Sequence, residues 1–157
     1  MKRYYSLLLL IMMAVLTLGL TACGNDDNDE PEGGDIVGTW SSDLSKEIVE
    51  AMSDFYSSGE ELIQYRSDGT FVSVFAYTLK PEWAELFDDD EDHVVEVERG
   101  KYTTNGNKIT LVYSDGKKEI DTFSVKGNTL TMTTTAGIII TATFTRVSDS
   151  EIEKYLN

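Results

Sequence analysis

Thr129-Leu130-Thr131-Met132-Thr133-Thr134-Thr135-Ala136-Gly137-Ile138-Ile139-Ile140-Thr141-Ala142-Thr143-Phe144-Thr145-Arg146-Val147 is the stretch that decides the fold. Thr129, Thr131, Thr133 and Thr135 fall on one face of an extended chain, and Leu130 and Met132 on the other. After the Ala136-Gly137 turn the pattern repeats, with Thr141, Thr143 and Thr145 opposed by Ile140, Ala142 and Phe144. A period of two is the signature of a half-buried strand, not of a helix. The two runs therefore predict a hairpin with an apolar inner face and threonines paired across its outer face. The threonine ladder reads as a solvated β surface, with binding of an ordered surface as the alternative.

Working outward, the same chemistry recurs. Strands are expected at 36–41, 61–66, 70–78, 94–103, 108–113, 117–125, 129–135 and 138–147. The joints carry residues that tolerate positive φ: Ser67-Asp68-Gly69, Asn105-Gly106-Asn107, Asp115-Gly116 and Gly127-Asn128. Eight strands joined mostly by tight turns predict an antiparallel meander, and closure into an all-β barrel removes its exposed edges. Two connections are longer. Leu44, Ile48, Met52 and Phe55, with Val49 and Tyr56, recur at helical spacing, capped by Ser42 or Asp43 and stopped by Ser57-Ser58-Gly59. Pro81 opens a short turn bearing Trp83, Leu86 and Phe87. After the last strand, Ser148 to Glu151 fits a capping box for a short C-terminal helix carrying Ile152, Tyr155 and Leu156.

Gly38-Thr39-Trp40 on the first strand resembles the G-x-W signature of lipocalins. The order of Asp68-Gly69-Thr70-Phe71, Gly100-Lys101-Tyr102, Gly106-Asn107-Lys108-Ile109-Thr110-Leu111, Asn128-Thr129-Leu130 and Phe144-Thr145-Arg146 is similar to the small lipocalin-like lipoprotein domains of Bacteroidetes. The resemblance spans about residues 36–147. It implies an eight-stranded up-and-down, lipocalin-like barrel with one cavity. It also implies that Arg146 lies over Trp40 and closes the barrel floor, a structural pair that favourable cation–π geometry supports independently.

In such a meander the longer connections gather at the end opposite the termini. The expected mouth is gated by Met52, Phe55, Trp83, Leu86 and Phe87. The expected deep wall is Phe71, Phe75, Tyr77, Tyr102, Leu111, Met132 and Ile140. An eight-stranded barrel is wide enough either to hold one small ligand or to be filled by side chains. Two readings follow: a binder of a small apolar or amphipathic molecule, or a non-enzymatic structural module with a filled barrel that engages an envelope or host protein.

The N-terminal residues supply an address. Lys2 and Arg3 precede an apolar run from Leu7 to Leu20, and Leu20-Thr21-Ala22-Cys23 resembles the lipobox of bacterial lipoproteins. The organisation expected is a signal peptide at 1–22, a lipidated Cys23 with an acidic tether at 23–35, and one domain at 36–157. Cys23 is the single cysteine, so no disulfide staples the fold. Gly24 to Asp35 contains no hydrophobic residue and is expected to be disordered, spanning at most about 40 Å. Acidic residues just after a lipidated cysteine resemble surface-export signals of Bacteroidetes lipoproteins. The localisation expected is the outer membrane, on the cell surface, with a periplasm-facing anchor as the alternative.

The chain carries 28 acidic and 13 basic residues, a net charge of −15. Losing Lys2 and Arg3 with the leader makes the remainder more negative still. Such a surface repels nucleic-acid phosphates, so no nucleic-acid partner is expected. The run Asp88-Asp89-Asp90-Glu91-Asp92-His93 invites calcium. As an EF-hand loop it fails, because His93 stands where glycine is needed and Arg99 where the bidentate glutamate is needed. Loose calcium binding by residues 88–92 stays open. His93 is the only histidine, which leaves no zinc set and a poor base for a triad. No phosphate loop or dinucleotide fingerprint occurs. No enzyme, cofactor or metal is expected.

Overall fold

A computed structural model describes residues 34–43, 56–84, 93–135 and 139–157. Eight strands run in chain order: β1 (Gly38–Asp43), β2 (Tyr56–Tyr65), β3 (Thr70–Leu79), β4 (His93–Asn105), β5 (Lys108–Tyr113), β6 (Lys118–Lys126), β7 (Thr129–Thr135) and β8 (Ile139–Val147). Two short helices accompany them, α1 (Pro81–Ala84) after β3 and α2 (Ser150–Glu153) after β8. Each strand pairs antiparallel with the next, and β8 returns to β1 through Thr39↔Val147, Trp40↔Arg146 and Ser41↔Thr145. The sheet is therefore a closed up-and-down barrel with no free edge.

Register follows side-chain parity. Across β7 and β8, Thr129 faces Thr145, Thr131 faces Thr143 and Thr133 faces Thr141, whose hydroxyls lie 3.1 Å apart. On the inner face Leu130 and Phe144 are buried as partners. Inward residues of the other strands join them in one core: Trp40, Ile63, Tyr65, Phe71, Ile109, Leu111 and Phe123. A glycine in β4 makes this fit possible. A Cβ at Gly100 would strike the Phe71 ring and the Val112 carbonyl, so only glycine lets those groups approach.

A second apolar cluster lies outside the barrel. Leu62, Val72 and Val74 point outward from β2 and β3, and Ile152 of α2 is fully buried on them, flanked by Tyr155 and Leu156. Polar bonds pin the segment there. The Thr39 hydroxyl donates to Asp149 Oδ1 at 2.6 Å, and Tyr155 donates its hydroxyl to Glu60 at 3.2 Å.

Two local expectations need correction. β2 begins at Tyr56, not at Glu61, so Ser57-Ser58-Gly59 extends a strand and does not end a helix. Pairing with β3, through Tyr56↔Leu79 and Gly59↔Tyr77 with a register shift at Tyr56/Ser58, overrides the local signal. The capping box is not formed either. The N-cap of α2 is Asp149 without a side-chain cap, and Ser148 Oγ pairs with Ser150 Oγ at 2.5 Å. Tyr155 and Leu156 follow the helix and are not on it. The helix expected over Leu44–Tyr56 falls largely on 44–55, outside the described residues, as do Cys23, the tether before Gly34 and the acidic run 88–92.

Candidate functional site

The barrel interior has two halves with different chemistry. At the end bearing the β2–β3, β4–β5 and β6–β7 turns, the floor is closed. Trp40 is fully buried, and the Arg146 guanidinium carbon stands 4.1 Å from its ring centroid. The same guanidinium donates to the carbonyl of Val37 at 2.7 Å and of Asp35 at 3.3 Å, while the Trp40 indole N–H donates to the Ile36 carbonyl at 2.8 Å. These bonds fold residues 35–37 beneath the barrel with Ile36 buried as a plug. Gly38 has φ 137° and a Cβ there would run into the guanidinium, which gives the G-x-W pattern its physical reason.

Above the floor the core is packed and aromatic. Tyr65 packs edge-on against Tyr102 at 5.0 Å, Phe71 against Tyr113 at 5.3 Å, and the Tyr65 hydroxyl reaches Met132 Sδ at 3.4 Å. Burial pushes the Tyr65 hydroxyl well above the usual range, and nearby Glu61 and Asp121 add to that. Four expected wall residues, Phe71, Tyr102, Leu111 and Met132, therefore pack into this core.

The far half, toward the β5–β6 turn, is polar. Parity turns Glu61 to the same side as Ile63 and Tyr65, and Asp121 to the same side as Phe123. Likewise Glu98 and Glu96 share the inner face of β4 with Tyr102, and Glu119 that of β6. Their interactions agree. Tyr113 donates its hydroxyl to Glu119 at 2.7 Å, Lys117 bridges Glu119 at 2.7 Å, and Tyr77 donates to Glu96 at 3.2 Å. Burial, then the charges of Glu98 and Glu119, push the Glu61 carboxyl up to about 8. Glu98 is raised by partial burial, against which Lys117 acts. Asp121 is raised by burial, with a Thr134 hydrogen bond opposing. Its side chain is 4% exposed, and its Oδ1 is buried with no hydrogen-bond partner among the described residues.

The remaining expected residues are distributed unevenly. Phe75 and Tyr77 are half-buried among this polar half, where Tyr77 meets Tyr56 edge-on at 5.0 Å. Ile140 is not a deep wall residue: it is 37% exposed, because it sits near the end of β8 where the barrel opens. Trp83 is placed by its backbone on α1, and Met52, Phe55, Leu86 and Phe87 lie outside the described residues. Alongside Phe75 and Tyr77 the inner face of the far half carries Glu61, Glu96, Glu98, Glu119 and Asp121, which the expected wall did not include. The signal was present in part: Asp121 and Glu98 stand two residues from Phe123 and Gly100 on strands whose core parity those residues fix. His93 is exposed at the start of β4, its Nδ1 3.4 Å from Thr78 Oγ1. Among the described residues no group of three or more histidine, cysteine or acidic side chains could hold a metal ion.

No family model matches the chain, and no curated protein matches it. Among solved structures it is similar to the Cpx pathway activator NlpE from Escherichia coli, at 19% sequence identity and a TM-score of 0.44. That match covers 66% of this chain and 45% of NlpE, so the chain spans less than half the length of that protein. The barrel itself is established by the strand register given above.

Proposed function

We propose that this chain is a lipid-anchored envelope protein, tethered through Cys23, whose barrel binds one small amphipathic molecule without transforming it. The observation that carries the binding reading is the split interior. The floor half is closed and packed, while the far half keeps half-buried polar walls around a buried carboxylate oxygen that has no hydrogen-bond partner among the described residues. A barrel that served only as a rigid block would gain stability by filling that half with apolar side chains. The Cys23 motif supports anchoring at the outer membrane, with surface display favoured by the acidic tether. One observation favours the second reading, a structural or protein-interaction module: the aromatic half is packed solid.

Titration of the mature chain with the neutral fluorophore N-phenyl-1-naphthylamine separates the two. Saturable enhancement at one site is expected, abolished by Thr134→Trp, which fills the interior beside Asp121. No saturable signal in the wild type leaves the interaction module as the reading.

A further inference from the structure

We infer that the far half of the barrel interior is a site for an organic cation, an ammonium or guanidinium group on an apolar body, held by Glu61, Glu98, Glu119 and Asp121. This rests on the ligand-binding reading above and names its substrate class. Four carboxylates from β2, β4 and β6 turn toward one interior by strand parity, and among the described residues Lys117 is the cation that acts on Glu98, Glu119 and Asp121. Lys117 is already engaged by Glu119 at 2.7 Å. Negative charge there is under-compensated, and mutual repulsion is relieved by a bound cation.

The independent observation is Asp121. Its Oδ1 is buried with no hydrogen-bond partner among the described residues, which is costly, and native structures satisfy such atoms. A cation that brings donors as well as charge satisfies both demands, since an ammonium carries three donors and a guanidinium five. The carboxylates are not gathered into a metal-ligating group among the described residues, which favours an organic cation whose donors spread over several ångströms over a bare ion. The aromatic surroundings suit it too: Lys117 Nζ already rests 5.1 Å from the Tyr113 ring centroid, and Phe75 is half-buried on the inner parity of β3. An anionic ligand would meet the like charge of Glu98 and Glu119, which Lys117 offsets only in part.

Three amphiphiles with one tail and different heads test this by calorimetry on the mature chain at neutral pH and low salt: octylammonium, octyl glucoside and octanoate. Octylammonium is expected to bind at least about tenfold more tightly than octyl glucoside, the yield of one charge-assisted hydrogen bond, and octanoate more weakly than either. Asp121→Asn should weaken octylammonium about tenfold and leave octyl glucoside unchanged. Glu98→Gln, at a partly open position on the inner face of β4, should also weaken octylammonium selectively and serves where Asp121→Asn does not fold. Octyl glucoside binding as tightly as octylammonium overturns the cation inference while ligand binding stands. Failure of all three to bind overturns both.

Discussion

Glu61 is a carboxylic acid inside a barrel, and its position determines how the protein responds to pH. It faces Glu98 on β4 and Glu119 on β6, with Tyr65 beside it on its own strand and Asp121 beyond. In the unfolded chain it ionises near its ordinary 4.5, and in the folded chain at about 8. Between these values the folded state keeps a proton that the unfolded state has released. Stability therefore falls as pH rises from about 4.5 to about 8, and levels off above, where both states are ionised. Glu98 and Asp121, also raised by burial, act in the same sense. Urea midpoints taken from pH 5 to 9 are expected to show this decline, and Glu61→Gln should flatten its portion between pH 6 and 8. An unchanged slope in the variant would remove Glu61 as its source. The parity of Ile63 and Tyr65 puts this residue on the inner face, but Leu62 between them is equally apolar, so the local sequence does not choose the face. What it lacked was the identity of the strands across the barrel, because nothing local to Glu61 announces Glu98 or Glu119.

At the scale of elements, the C-terminal segment acts as a patch on the outer wall. Leu62, Val72 and Val74 would face water from the outside of β2 and β3 if α2 were absent, and Ile152 covers them. Ile152→Ala removes that cover and is expected to lower stability by about 2 to 4 kcal/mol, read as a shift of the urea midpoint. A loss below about 0.5 kcal/mol, the range of ordinary surface substitutions, would mean that the segment is not docked in solution. The hairpins from β5 to β8 were legible to the residue or nearly so, because alternation and turn chemistry agree there. The two-faced burial of β3 was not, since Phe71 and Val72 are both buried, one by the core and the other by a helix some 80 positions away in the chain. The start of β2 misled for a related reason. Its local residues spell a helix stop, and the partner that overrules them, β3, is met only after the chain folds back.

For the whole molecule, charge and closure set the terms. A net charge of −15 on 157 residues repels itself most at low ionic strength. Raising salt from about 0.01 M to about 1 M shortens the Debye length from about 30 Å to about 3 Å and should relieve that repulsion. The thermal midpoint is therefore expected to climb with sodium chloride, as followed by circular dichroism. A midpoint that falls would show that the Lys117–Glu119 and Lys154–Glu60 pairs outweigh the general repulsion. Closure also has a kinetic side: β1 meets β8 across roughly a hundred residues, so sealing the cylinder demands the largest loop entropy of any pairing in it.

The tuck of residues 35–37 under the floor has a mechanical consequence. Those residues are gripped by two side chains, the indole of Trp40 and the guanidinium of Arg146, and the ladder proper starts only at Gly38. Traction arriving from the chain ahead of Gly34 is borne first by that grip. The stopper gives way before any stave of the cask parts, and a tug on the leash unseals the bottom while the walls stay standing.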